Sequence, residues 1–180
     1  METFSANSEH LAGWDCHSVG VWGVQNGART VTMEVWHVRC LAVSNDGRWI
    51  AAGTFYGDTL VWDASTGEQV FAHKKDNFNE MIFGVDFSPD STRLVTASMN
   101  DTAIVWDIAT GKQVQTLDHD DWVKVAKYSP QGDRIATATD DSVRVWDSID
   151  GHLLVDIPVR ANTGLLWFHN HLFVLQYTFS

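Results

Sequence analysis

Ala103-Ile104-Val105-Trp106-Asp107, followed by Ile108-Ala109-Thr110-Gly111-Lys112, reads as a short apolar strand that ends in Trp-Asp and runs into a glycine-containing turn. The same pattern recurs. Thr59-Leu60-Val61-Trp62-Asp63 leads into a turn with Gly67, and Ser142-Val143-Arg144-Val145-Trp146-Asp147 into one with Gly151. A worn copy, Gly20-Val21-Trp22-Gly23, precedes Gly27. The tryptophans stand 40, 44 and 40 residues apart, and a glycine follows each by five residues. A fixed period of this length means that one supersecondary unit is repeated along the chain.

Between signatures, runs of four to six residues rich in Val, Ile, Thr and aromatics are bounded by turn residues, which is the pattern of short strands. Each full repeat yields four, here lettered a to d. They are 38–43, 49–54, 59–63 and 69–72; then 82–87, 93–98, 102–107 and 112–117; then 123–128, 134–139, 143–147 and 152–157. Ser44-Asn45-Asp46-Gly47 and Ser88-Pro89-Asp90-Ser91 have the residues that tight turns require. Strand c is apolar on both faces, as for any sheet covered on both sides. Residues 17–36 give only strands c and d, and 164–176 give two strands that fit a and b.

The Trp-Asp dipeptide at this period resembles the WD40 repeat family, and the repeats look most like those of fungal-type multi-repeat WD40 proteins. The likeness covers roughly residues 17–176. It implies an all-β fold of WD40 β-propeller blades: three complete four-stranded blades (38–72, 73–117, 118–157) plus two half blades (17–36, 164–176). Residues 1–16 read as a polar leader, with Trp14-Asp15 a chance dipeptide, and 177–180 as a tail. Three blades and two halves make an open arc or partial propeller; the alternative is a four-bladed ring closed by joining both chain ends. Tighter packing angles in so small a ring favour the arc.

The composition narrows the partners. Twelve basic against 23 acidic residues leave a net charge of −11, which disfavours a nucleic-acid backbone and leaves protein or peptide. Two cysteines without metal-like spacing suit a reducing compartment, so the chain reads as cytoplasmic, with the nucleus also open to it. Residues 1–15 lack the basic segment and apolar core of a secretory signal, and no apolar run is long enough to span a membrane.

The resemblance further implies structural roles. Trp22, Trp62, Asp63, Trp106, Asp107, Trp146 and Asp147 are the repeat signature, each Asp ordering its own turn. Family blades hold a polar network linking a His before strand a, a Ser or Thr in strand b, an Asp in the b–c turn and the strand c Trp. Here that implies His119, Thr139, Asp140 and Trp146, with Ser98 and Thr54 in the worn copies. The d–a and b–c loops emerge on one face and carry Trp36, Arg39, Tyr56, Phe78, Asp121, Trp122 and Lys124 as partner-binding candidates. Arg39 and Lys124 occupy the same slot of their repeats. His169-Asn170-His171 lacks the third ligand a metal site needs. No phosphate loop or nucleophile turn is present, so neither an enzyme nor a cofactor is implied. The reading is a non-catalytic protein-interaction scaffold that uses the loop face. The alternative is a truncated propeller fragment that works only by assembling with itself or another chain through its open blade edges.

Overall fold

The computed structural model describes residues 2–4, 10–15, 17–75, 80–159, 163–168 and 171–176. Its strands form four antiparallel four-stranded sheets and one two-stranded sheet, each sheet paired in chain order. The first holds β1 (Glu2–Phe4), β2 (His10–Trp14), β3 (Ser18–Gly23) and β4 (Arg29–Glu34). The second holds β5 (Val38–Val43), β6 (Trp49–Thr54), β7 (Thr59–Asp63) and β8 (Gln69–His73). The third holds β9 (Ile82–Phe87), β10 (Arg93–Ser98), β11 (Thr102–Asp107) and β12 (Gln113–Asp118). The fourth holds β13 (Val125–Tyr128), β14 (Arg134–Ala138), β15 (Ser142–Asp147) and β16 (Leu153–Pro158). The last is β17 (Thr163–Phe168) paired with β18 (His171–Gln176). The molecule is a partial β-propeller, not closed into a ring.

The cores lie between sheets, not within them. Val19, Val21 and Met33 of the first sheet pack with Ile50, Leu60 and Trp62 of the second. Ala51 and Val61 pack with Val85, Leu94 and Trp106 of the third. Val95, Val105 and Leu117 pack with Ala126, Ile135 and Trp146 of the fourth. The two-residue period of a strand explains the assignment: Trp62 and Leu60 face the preceding blade, while Val61 between them faces the following one. The residues of each strand c just before its Trp are therefore covered on alternate sides, and no blade can bury both faces alone.

The start of the chain departs from expectation in two linked ways. The first sheet is a full blade, not a half blade at 17–36, because the supposed leader at 1–16 supplies β1 and β2. Leu11 stands opposite Trp22 and Trp14 opposite Val19, and Ala12 is fully buried in the first inter-blade core. The eight residues from Trp14 to Trp22 are the normal b–c interval, equal to Thr54–Trp62 and Ser98–Trp106. Trp14-Asp15 is thus the end of a strand b and its turn. The Asp15 carboxylate accepts from the amides of His17 and Ser18, both at 2.8 Å, and these bonds hold it below the usual carboxylate range. The second departure rules out the four-bladed ring: β2 fills the place beside β3 that β18 would have needed.

Candidate functional site

The repeat signature places its groups as turn and core elements. The Asp63 carboxylate accepts from the amides of Ser65 and Thr66, at 2.9 and 3.1 Å. Asp107 accepts from the Thr110 amide at 2.8 Å and Asp147 from the Ile149 amide at 2.8 Å. Hydroxyl bonds from Ser65 and Thr110 hold the Asp63 and Asp107 carboxyls below their ordinary range.

The polar network is present in the fourth sheet, but with a different strand b residue. The Trp146 indole donates to Thr137 Oγ1 at 2.8 Å, and His119 Nε2 lies 2.7 Å from the same oxygen. His119 Nδ1 is 2.9 Å from the Leu117 carbonyl, which can only accept. Nδ1 therefore carries the proton and Nε2 accepts from Thr137. The chain of donation runs from Trp146 to Thr137 to His119 to Leu117. Burial pushes the His119 pKa down to about 4, which keeps the ring neutral and this direction intact.

Thr139 and Asp140 stand outside that relay. Thr139 lies beyond the end of β14, where its hydroxyl accepts from the amides of Asp141 and Ser142. Asp140 turns outward and pairs with Lys124. The reason is register. Trp146 sits opposite Ile135, and its indole reaches the diagonal neighbour two residues on, which is Thr137. The third sheet repeats this with Trp106 donating to Thr96 at 3.1 Å. Its Ser98 instead donates to the Glu80 carbonyl at 3.0 Å. In the second sheet the diagonal position is Ala52, which has no acceptor, and Thr54 accepts from the turn amides of Tyr56 and Asp58. Two hydroxyls stand at alternate positions in each of these stretches, Thr96 and Ser98 or Thr137 and Thr139, and only the register chooses between them.

The loop face gathers two groups of side chains. In the first, Trp36 is 59% exposed and its ring meets His17 edge-on at 4.3 Å. His37 follows with a backbone φ of 59° and meets the Tyr56 ring edge-on at 4.9 Å; Phe55 is also exposed. Left-handed backbone is uncommon outside glycine, and such positions cluster at functional sites. In the second, the Arg39 guanidinium lies over the Phe83 ring at 4.7 Å, and Phe83 stacks at 6.3 Å on Trp122, which is 43% exposed. Arg39, Cys40, Phe83, Lys124 and Lys127 line a groove of about 440 Å³ along the innermost strands. Lys127 pairs with Asp86 at 2.8 Å, and burial raises the Asp86 carboxyl. Burial pushes the Cys40 thiol up to about 12, which leaves it unreactive.

Of the seven loop-face candidates, Trp36 and Tyr56 meet through His37, while Arg39 and Lys124 line the groove and Trp122 stacks on its Phe83. Asp121 is half-buried in the connection before β13. Phe78 and the His169-Asn170 pair lie outside the described residues. His17 and Phe83 were missed. The first was hidden by the misread b–c turn. Phe83 reads as one more apolar strand residue, and only its neighbours reveal the stack. Arg144 was also missed. This strand c cation bonds Asp120 at 2.6 Å, Asp156 at 3.0 Å and the Asp118 carbonyl at 3.0 Å, which ties down the loop that carries Trp122.

Among the described residues no group of three or more His, Cys, Asp or Glu could hold a metal ion, and no helix is long and apolar enough to cross a membrane. The family model "WD domain, G-beta repeat" matches residues 29–63, 68–107 and 111–147, more than half of the chain. Ribosome biogenesis protein ERB1 of Debaryomyces hansenii is 32% identical over 65 residues, 34% of this chain and 8% of that protein. WD repeat-containing protein 1 of Mus musculus is 34% identical over 67 residues, 37% of this chain and 11% of that protein. The chain thus spans about a tenth of the length of these curated relatives. In fold it is similar to the Cps50 (Swd1) β-propeller domain of Myceliophteria thermophila, with a TM-score of 0.82 at 16% identity, covering 96% of this chain and 60% of that one. It is also similar to Kuenenia stuttgartiensis hydrazine synthase, with a TM-score of 0.79 at 18% identity, covering 92% of this chain and 51% of that one.

Proposed function

Because this chain belongs to the WD40 repeat family, we propose that it is a non-catalytic interaction scaffold that binds a protein or peptide through its d–a and b–c loop face, in the cytoplasm or nucleus. The observation that carries this reading is Trp36. An indole 59% exposed, braced by His17 and set beside a left-handed His37, is a preorganised anchor. Exposed aromatics and Arg dominate the energetics of protein interfaces. The Arg39–Phe83–Trp122 stack adds a second anchor across three successive repeats. The perturbed groups His119 and Cys40 are committed to packing, which supports a non-catalytic reading.

Selection of binders from a displayed random-peptide library against the intact chain tests this. Trp36→Ala and Trp122→Ala are expected to weaken the selected peptides at least tenfold. Ile149→Ser, in the exposed turn on the opposite face, is expected to leave them unchanged. Binders that depend on Ile149 and ignore Trp36 and Trp122 would overturn the assignment.

A further inference from the structure

One slot, directly after Val38, Ile82 and Val123, holds Arg39, Phe83 and Lys124 in three successive blades. Pairing register gives all three the same setting. In β5 the ladder passes from the Val38–Thr54 pair to the Cys40–Gly53 pair and skips Arg39. In β9 it passes from Ile82–Ser98 to Gly84–Ala97 and skips Phe83. The Lys124 amide bonds the carbonyl of Ala138, which already stands opposite Val125. A residue skipped in this way bulges out of the ladder, and bulges re-aim side chains. Here they turn an arginine, an aromatic ring and a lysine onto one groove, and no acidic residue is among the described residues that line it.

The cations of this groove differ in what answers them. Lys124 pairs with Asp140, and Lys127 with Asp86. Among the described residues Arg39 has no carboxylate partner, and its guanidinium lies over the Phe83 ring at 4.7 Å. Contact with a ring face uses none of the N–H donors of a guanidinium, so the planar fork stays open for a carboxylate. Arg39 also lines a second recess of about 360 Å³ with His37, Val38 and Phe55, again with no acidic residue in the described lining. It thus stands where the two recesses meet. The chain has 23 acidic and 12 basic residues, so an unpaired cation between two recesses without acid is a local reversal of charge.

We infer that the peptide bound on the loop face is acidic, and that one of its aspartate or glutamate side chains docks on Arg39 with Lys124 alongside. This rests on the proposed use of the loop face and names the chemistry which that face selects. The guanidinium offers two parallel N–H donors to the carboxylate oxygens, and the Phe83 ring holds it ready, which lowers the entropy lost on binding. The peptide runs from the recess beside Phe55, across Arg39, to the Phe83–Trp122 stack. A basic peptide is a poorer occupant. It is drawn in by the net charge of −11, but its cation would meet Arg39 at the point of contact.

The test is selection from a displayed random-peptide library, run in parallel on the intact chain and on its Arg39→Glu variant. Binders of the unaltered chain are expected to be enriched in Asp and Glu, and binders of Arg39→Glu to lose that enrichment. The strongest acidic binder is then synthesised with a fluorophore and titrated by anisotropy. Replacing its acid by Gln, or Arg39→Gln in the protein, is expected to weaken it about tenfold. Lys112→Gln, in the turn at the opposite end of the blade, is expected to leave it unchanged. Arg39 is exposed, so its variants should melt with the unaltered chain. Binders that need Trp36 but show no acidic enrichment, or that ignore Arg39→Gln, would overturn the inference and leave the loop-face reading standing. Binders that ignore Trp36, Trp122 and Arg39 alike, or a selection that yields none, would overturn both. A phosphoserine version that binds more than about tenfold tighter than the Glu version would replace the carboxylate by a phosphate.

Discussion

Trp22 and Trp146 carry the same signature in the first and fourth blades and live in different surroundings. Trp146 is buried between two blades, with its indole bonded to Thr137 and its ring 5.3 Å from His119. Among the described residues no blade stands in front of Trp22. It is half-buried, and the Arg29 guanidinium 5.3 Å above its ring takes the place of a neighbouring sheet. The motif therefore does not bury its own tryptophan; the preceding repeat does. Stability in this molecule belongs to the junctions, as expected of a stacked repeat array.

The comparison can be broken most forcefully in the core. Trp106→Ala, at a tryptophan that the second blade covers, is expected to cost about 3–5 kcal/mol in chemical denaturation. Trp22→Ala is expected to cost no more than about 1–2 kcal/mol. Equal losses would mean that burial by the neighbour is not what distinguishes them. Thr137→Val keeps the shape and removes the hydroxyl that both Trp146 and His119 use, so a loss of about 1–3 kcal/mol is expected by the same measurement.

His119 makes the stability of the fourth blade depend on pH. Its folded pKa, about 4, lies below the ordinary 6.5. Between those values the unfolded chain takes up a proton that the folded chain refuses. Its contribution is therefore complete above about pH 6.5 and is lost as pH falls towards 4, by about 1–3 kcal/mol in total. Denaturation midpoints measured at pH 7 and pH 5 should converge on replacing the ring in His119→Gln. Arg144→Leu, which frees the loop beside Trp122, is expected to cost about 1–2 kcal/mol. Trp36→Ala should change stability by less than about 0.5 kcal/mol, since its indole is mostly in solvent. Its effect should appear in binding alone.

The interior strands could be read from the chain to within one or two residues at each end, because apolar runs and turn residues alternate so regularly there. The first blade could not, because β1 and β2 hold few large apolar residues. Ala12, which pairs with Val21, fills the place that Val95 fills in the third blade, and an alanine gives little signal. The network was misplaced by two residues because Thr137 and Thr139 stand at alternate positions, the second just past the end of β14, and nothing local separates them. On the loop face the exposed aromatics could be named from their positions in loops, but not their grouping.

What the sequence determined alone is the blade: the period, the strand order and the turn each aspartate closes, all of which depend on contacts between residues near in the chain. Only the tertiary structure decided which side of each strand is covered, which threonine meets the indole and that the arc stays open. Those depend on the sheet next door, some 40 residues away, and on pairing register, which no single repeat encodes. The Trp-Asp pair builds a blade wherever it stands; whether that blade is finished depends on its neighbours.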